Sequence, residues 1–302
     1  MIVLFGEILL DCFPDYRRIG GAPFNVAFHL MHLGVPIRFL SRIGDDPEGR
    51  GIIEFLHHSG FPTEDLQIDP GKPTGKVLVH DADGASGPRF EILSEAAYDH
   101  VAPSPRIIDA LRGEARLLYF GTLIQRTENG RETLERLLAA RSPATRCIVD
   151  INLRPDCFSR ATVLRSLEVA DILKLNADEL EEIVSMCGQE GLSVDDVPSL
   201  METFRIESVA LTLGDKGSRI YASGREEMLR PPPIEGFRNS VGAGDGFAAM
   251  LAMGHLKGWP PRRILERATA FASRICTLEG AVPESGRFYN DATEGGADGL
   301  LV

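Results

Sequence analysis

The sequence has no Cys-x-x-Cys pair, no long unbroken apolar run and no cluster of basic residues. Its five cysteines, Cys12, Cys147, Cys157, Cys187 and Cys276, are scattered and odd in number. That pattern points to reduced thiols in a cytoplasmic setting rather than a disulfide frame or a zinc site. No stretch approaches the roughly 18 apolar residues of a membrane-spanning helix. The apolar start from Met1 to Leu10 is interrupted by Glu7, is followed by Asp11 and has no basic leader, so it reads as a buried first strand, not a signal peptide. The formal net charge is −12, and Arg262-Arg263, on a predicted helix, is only a pair. Phosphate backbones and anionic lipid would repel such a chain, so neither nucleic acid nor membrane is an expected partner. Neither G-x-x-x-x-G-K-[ST] nor G-x-G-x-x-G occurs, which leaves a P-loop or a typical dinucleotide fold without motif support. His29 and His32 have a helical spacing but no Cys or carboxylate in the pattern, a poor start for a metal site. His57-His58 reads as a solvated helix end, and no Ser-His-Asp context stands out.

What the chain does have is length and alternation. With 302 residues it can bury about three quarters of the surface its unfolded form exposes. The hydrophobic pattern predicts strands at 2–10, 37–43, 117–120, 147–151, 172–175 and 209–213. It predicts helices at 23–33, 47–58, 105–111, 128–140, 176–187, 243–256 and 261–278. Ser104-Pro105 has the chemistry of a helix start. Strands alternating with helices imply a mostly parallel sheet covered on both faces, with ligands beyond the carboxyl ends of the strands. One segment breaks the rhythm. Thr74–His80 and Arg89–Leu93 read as a hairpin joined through 81–87, which would project from the sheet as a flap. The tail over 284–302 is rich in Gly, Asp and Glu and is expected to be flexible beyond about Tyr289.

Three segments carry chemistry. In Asn239-Ser-Val-Gly-Ala-Gly-Asp245, the small residues Gly242, Ala243 and Gly244 stand where a loop enters a long helix. Free N–H groups of the first turn and the helix dipole would face an anion there. Asp245, in the same turn, would be placed to take a proton from an attacking hydroxyl. The alternative is an ordinary Gly-rich turn with an N-terminal Asp. In Gly20-Gly-Ala-Pro-Phe-Asn25, glycines precede a helix, and Asn25 both donates and accepts, as a polyol requires. Asp11 could accept two hydroxyl hydrogens. The alternative is a tight turn capped by Asn25. Asn176 and Glu179 share one helix face at i, i+3. This suits either a hydrated cation or a capping box.

Together these segments resemble the ribokinase-like (PfkB) carbohydrate kinases, and bacterial fructokinases in particular. Gly20–Asn25, with Gly34 and Gly44, resembles the family's N-terminal glycine signature, and Gly242–Asp245 its C-terminal one. Other pieces fall in the family's order: Asp150-Ile-Asn152-Leu-Arg154-Pro155, Lys174-Leu-Asn176-Ala-Asp-Glu179, Thr212-Leu-Gly214-Asp-Lys-Gly217 and Glu279-Gly-Ala281-Val-Pro283. Phe90-Glu-Ile through Ala97-Tyr-Asp99 also looks fructokinase-like. The resemblance runs from about Met1 to Pro283.

It implies a ribokinase-like α/β fold: one domain over 1–302, a central mostly parallel sheet with helices on both faces, and a small β lid, reduced, from about 11–20 and 74–99. It implies ATP-dependent phosphorylation of a sugar. Asp245 would be the base, and Gly242, Ala243 and Gly244 the anion hole. Asp11, Gly20, Gly21, Asn25, Asn152 and Arg154 would face substrate, although Arg154 also suits a surface salt bridge. Asn176, Thr212, Gly214 and Gly217 would line the ATP site. Glu179 and Asn176 would hold Mg²⁺ through water. A homodimer is the macromolecular association to look for. Two departures matter. The family's second signature usually begins Asp-Thr where this chain has Asn239-Ser240; that Asp belongs to the monovalent-cation site, so K⁺ is doubtful. Ala22 stands where ribokinases carry lysine, which argues against ribose. The rivals are a kinase for a 2-keto-3-deoxy sugar acid (served by Arg89 or Arg154) or a nucleoside, a non-catalytic sugar or nucleotide sensor on the same fold, and a purely structural role.

Overall fold

The computed structural model describes residues 1–80, 89–187, 197–231, 233–283 and 286–289, with the side chain of residue 89 left aside. Its strands are β1 (Ile2–Phe5), β2 (Leu9–Cys12), β3 (Arg17–Gly20), β4 (Ile37–Gly44), β5 (Leu66–Asp69), β6 (Gly75–His80), β7 (Arg89–Ile92), β8 (Leu117–Gly121), β9 (Arg146–Asp150), β10 (Ile172–Asn176), β11 (Ser208–Thr212), β12 (Ser218–Ala222) and β13 (Arg225–Leu229). The helices are α1 (Ala22–His32), α2 (Pro47–His58), α3 (Pro105–Gly113), α4 (Glu128–Ala140), α5 (Arg160–Val169), α6 (Ala177–Cys187), α7 (Val197–Phe204), α8 (Ala243–Lys257) and α9 (Pro261–Ile275). Nine strands form a large sheet in the order β13-β12-β11-β10-β9-β8-β1-β4-β5. It is parallel from β11 to β5, and β12 and β13 add an antiparallel edge.

The period-2 geometry of a strand distributes this sheet between two cores. Ile2 and Leu4 of β1 enter one core with Phe24 and Phe28 of α1 and Leu251 of α8. Val3 and Phe5 enter the other with Leu111, Leu137 and Leu167 of α3, α4 and α5. β8 repeats the division: Leu117 and Tyr119 on the first side, Leu118 and Phe120 on the second. Both faces are dry, so the central strands are apolar throughout, as parallel strands under two helical layers must be. Helix α8 is buried from Gly246 to Gly254 and packs against both α1 and α9, which is why its sequence is apolar on nearly every side.

The predicted single strand over 2–10 is two. β1 stays in the large sheet. After Gly6-Glu7-Ile8 the chain re-forms as β2 in a second sheet of order β3-β2-β6-β7. Both pieces are apolar because both sheets bury them, so composition did not reveal the break. The expected hairpin is present as the antiparallel pair β6 and β7; its connection, 81–87, lies outside the described residues. The strands of this small sheet stop at Ile92, short of the 99 expected. Ala97, Tyr98 and Asp99 instead turn into the second core. Ser104 does stand at the N-cap of α3, but its hydroxyl faces Asp65 at 3.4 Å rather than the helix. The β12–β13 hairpin was not anticipated, although its Ser223-Gly224 turn, with φ of 53° and 71°, is a two-residue hairpin signal. From the tail, residues 286–289 form a turn that buries Tyr289 against His29, whose Nδ1 accepts from the phenol at 2.8 Å. Residues 290–302 lie outside the described residues. Among the described residues no helix is long and apolar enough to cross a membrane.

One buried ion pair ties the base of the small sheet to the body. Arg126 grips Asp99 with two hydrogen bonds, at 2.7 and 2.6 Å, donates to the Leu93 carbonyl at 2.9 Å, and lies over the Tyr98 ring. Removing one partner of such a pair leaves the other charge buried alone. Asp99→Ala is expected to lower unfolding stability in urea by about 3–5 kcal/mol. The double change Asp99→Leu with Arg126→Met should recover part of that loss.

Candidate active site

The carboxyl ends of β1, β8, β9, β10 and β11 meet the entrances of α1, α6 and α8, and here the predicted residues assemble. Asn25 lies in the first turns of α1 and Asp245 in the first turn of α8, 220 residues apart in sequence. Asn25 Nδ2 donates to Asp245 Oδ2 at 2.7 Å. Asn25 is 5% exposed and its Oδ1 has no partner among the described residues, so a buried acceptor is left for a donor from outside. Gly242 is the N-cap of α8 with a left-handed φ of 78°, and a Cβ there would collide with Ala281. Among the described residues no side chain caps this helix; the expected anion-hole N–H of Ala243 is instead taken up by the Ser240 carbonyl at 3.1 Å, which leaves the Gly242 and Gly244 N–H groups for an anion. Gly21 is the N-cap of α1. Gly20 pairs with Leu9, and a side chain there would run into the Asp11 carboxylate, so the glycine makes room for that group.

Asn176 and Thr212 are register partners at the ends of β10 and β11. Gly214 opens a short 3-10 turn and Gly217 closes it. Asn176 and Glu179 form the capping box that the spacing allowed. Asn176 Oδ1 accepts from the Glu179 N–H and Glu179 Oε2 from the Asn176 N–H, each at 2.8 Å. Glu179 Oε1 also accepts from the Leu153 N–H at 3.0 Å, which joins this turn to the Asp150–Arg154 segment. The two readings of this motif are compatible. Each carboxylate oxygen has a second lone pair to offer a hydrated cation, and a hard cation such as Mg²⁺ takes oxygen ligands while keeping waters, so these residues fit it as an outer shell.

Four residues received no role in the sequence reading. Lys174 points from β10 into the site and is buried. Its ammonium donates to Asp150 Oδ1 at 2.8 Å, and a Cβ on Gly244 would sit 3.5 Å from it. Tyr119 donates to the other Asp150 oxygen at 2.9 Å. Glu7, 4% exposed, sits in the break between β1 and β2. A cavity of about 10 Å³, room for roughly one water, is lined by Glu7, Tyr119, Asp150, Asn152 and Arg154. The signal for Lys174, Asp150 and Glu7 was in the sequence: each is a charge within or ending an apolar strand. A wider cavity of about 670 Å³ beside Arg17, Arg18, Arg238 and Glu279 contains none of the predicted site residues.

The electrostatics follow from crowding like charges in a dry place. Burial raises the Asp245 carboxyl, and neighbouring Asp150 adds to the rise. The Asn25 hydrogen bond, Lys174 and Arg154 oppose it, leaving a value of about 6. Burial likewise lifts Asp11 to about 6 against the pull of Arg154. Glu7 rises to about 7, chiefly by burial, with backbone hydrogen bonds and Arg154 opposing. Glu179 is raised by burial against the pull of Lys174. For Lys174, burial disfavours the charge, yet Asp150, Glu179 and Asp245 outweigh it and hold the ammonium above its ordinary value. The exposed Arg154 side chain, on the rim, makes no hydrogen bond or ion pair to the described residues, while its charge reaches Glu7, Asp11 and Asp245 alike. Asn152 holds a left-handed φ of 40° beside it.

The comparisons give the family and the fold. The model of the pfkB family carbohydrate kinases matches residues 14–285. A sugar kinase of Pyrococcus horikoshii is 30% identical over 279 residues, covering 85% of this chain and 83% of its own. Its crystal structure with ATP superposes with a TM-score of 0.79 at 27% identity, covering 93% of this chain and 94% of that one. Fructokinase-1 of Oryza sativa is 26% identical over 309 residues, 94% of each chain. A double mutant of Vibrio cholerae fructokinase, solved with fructose, ADP and potassium, has the same fold at 22% identity, with a TM-score of 0.79 over 95% of this chain and 96% of that one. The chain belongs to the PfkB family of carbohydrate kinases.

Glu7 provides a test of the site's electrostatics. Its folded-state value lies above its unfolded one, so the folded protein binds the extra proton between pH 4.5 and about 7 and loses stability as pH rises through that window. Glu7→Gln removes this titration. Relative to the native protein, the variant should gain little at pH 4.5 and up to about 3 kcal/mol at pH 8, read from denaturant unfolding at each pH.

Proposed function

We propose that this carbohydrate kinase moves the terminal phosphoryl group of ATP onto a hydroxyl of a fructose-like sugar, with Asp245 as the base. The observation that carries the reading is the Asn25–Asp245 hydrogen bond. It joins the turn suited to a polyol to the helix mouth suited to a phosphate. The unpartnered Asn25 Oδ1 accepts from one sugar hydroxyl, and Asp11, lying over Gly20, accepts from others. Gly21, Asn152 and Arg154 complete the sugar side. As the sugar oxygen bonds to phosphorus, the bond to the ADP oxygen breaks and the hydroxyl proton passes to Asp245. Charge on the transferring group falls to the N–H groups of Gly242 and Gly244 and to the Lys174 ammonium beside them, while Ala243 shapes the turn through its bond to Ser240. Thr212, Gly214 and Gly217 border the nucleotide. Mg²⁺, when bound with ATP, neutralises phosphate charge, and Glu179 and Asn176 would hold it through water. The small sheet of β2, β3, β6 and β7 serves as the lid of a single domain and excludes water from the reacting phosphate.

The rim cation Arg154 favours one other substrate class. Facing Glu7 and Asp11 without a partner of its own, it could pair with the carboxylate of a 2-keto-3-deoxy sugar acid. An ADP-formation screen over ketohexoses, aldohexoses, sugar acids and nucleosides separates the two: fructose ahead of the acids upholds the first reading, the reverse order the second. With the preferred sugar, Asp245→Asn should lose at least about a hundredfold in kcat while ATP still binds. Turnover close to native in that variant removes Asp245 from the role.

A further inference from the structure

The anion-hole turn rests on another loop. Gly242 is in van der Waals contact range of Ala281, so the segment 278–281 after α9 is the prop beneath the mouth of α8. Family resemblance places a monovalent cation at this junction, held by an Asp where this chain has Asn239. The donor set here does not fit one. Asn239 Nδ2 donates to the Leu278 carbonyl at 3.1 Å and the Glu279 carbonyl at 3.4 Å, while its Oδ1 accepts from the Val241 N–H at 2.9 Å. The amide is therefore oriented with its nitrogen toward the loop carbonyls. Arg18, on β3, donates through Nη1 to the same Glu279 carbonyl and reaches the Glu279 carboxylate through Nη2 at 3.5 Å. Arg238 holds the other carboxylate oxygen at 2.5 Å. His29, fully buried and pushed by burial to about 3, is neutral and lies 3.1 Å from the Ala281 carbonyl through Nε2. Since Nδ1 faces the Tyr289 hydroxyl as acceptor, Nε2 carries the proton and donates. The carbonyls of 278, 279 and 281 thus each already accept an N–H, and the Arg18 guanidinium brings its positive charge to this loop.

We propose that Arg18 and Asn239, with His29, replace the monovalent cation: protein N–H donors order the prop under the anion hole, and Arg18 makes that order depend on the lid. Arg18 is then a positioning residue. It joins β3 of the lid to the loop that sets the helix mouth. A closed lid brings its own phosphate site into register, and the requirement for potassium disappears. The proposal rests on the kinase reading for its purpose, but its test needs no sugar.

Thermal unfolding and ATP titration of the native protein are compared in potassium chloride, sodium chloride and tetramethylammonium chloride at one ionic strength. The expected result is the same midpoint and an ATP Kd within about twofold in all three. A Kd that falls at least about fivefold in potassium, the lower end of ordinary site coupling, overturns the proposal. The second arm is hydrogen exchange. Arg18→Ala should speed exchange of the 277–283 amides by about tenfold or more, as expected when a local opening is made easier, and weaken ATP binding, while Arg18→Lys retains much of both. Unchanged exchange and unchanged ATP affinity in Arg18→Ala overturn the part assigned to Arg18. Loss of sugar phosphorylation on every substrate would instead strike the functional reading and leave these two measurements standing.

Discussion

Negative charge gathered in a nearly dry place is the constraint around which the rest of this molecule is built. Glu7, Asp11, Asp150, Glu179 and Asp245 converge beyond the ends of five strands, in a chain whose net charge is already −12. Left alone, these groups would repel one another and any phosphate. Two cations and one helix end hold the balance. Lys174 is buried against Asp150 at 2.8 Å and faces Gly244; Arg154 lies on the rim; α8 turns its uncapped N-terminus inward. Burial is the largest cause of each raised carboxyl, and the neighbouring cations offset only part of it. This incomplete offset also explains why a divalent cation accompanying the nucleotide suits this site: the incoming polyphosphate adds further charge of the same sign.

The scaffold distributes this charge by topology. A parallel sheet places the ends of β1, β8, β9, β10 and β11 side by side, so residues hundreds of positions apart become neighbours without any one segment folding tightly. The break at Gly6-Glu7-Ile8 serves the same purpose. It sends β2 into the second sheet, sets Asp11 over Gly20, and leaves Glu7 in the gap. Helix α8 can carry Asp245 and a run of small residues at its mouth because the rest of it is buried between α1 and α9. The turn ahead of it is in turn propped by 278–281, itself held from α1, from β3 and from Asn239.

Much of this could be read in advance, for identifiable reasons. The bounds of α4 matched the pattern because its apolar positions recur at helical spacing, and Asp245 was marked because glycines and a carboxylate at a helix entrance have few ordinary uses. Asn25 was marked by its chemistry, although nothing local required it to meet Asp245. Glu7, Asp150 and Lys174 were visible as charges in apolar strands, but a charge in a strand has no assigned partner until the sheet order is known. The capping box of Asn176 and Glu179 was one of two readings, and the Leu153 contact that lets it serve both comes from a different loop.

Local order, then, was settled by the sequence itself: the alternation of apolar periods, the glycine-bearing helix entrances and the family those motifs mark. These depend on residues within a few positions of one another, where spacing and steric freedom suffice. Tertiary structure alone decided that the first apolar run divides between two sheets, that Lys174 meets Asp150 beside Gly244, and that Arg18 reaches across 261 positions to the loop beneath the helix mouth. Such choices turn on which buried charges find partners, and that is determined only when distant segments are packed together.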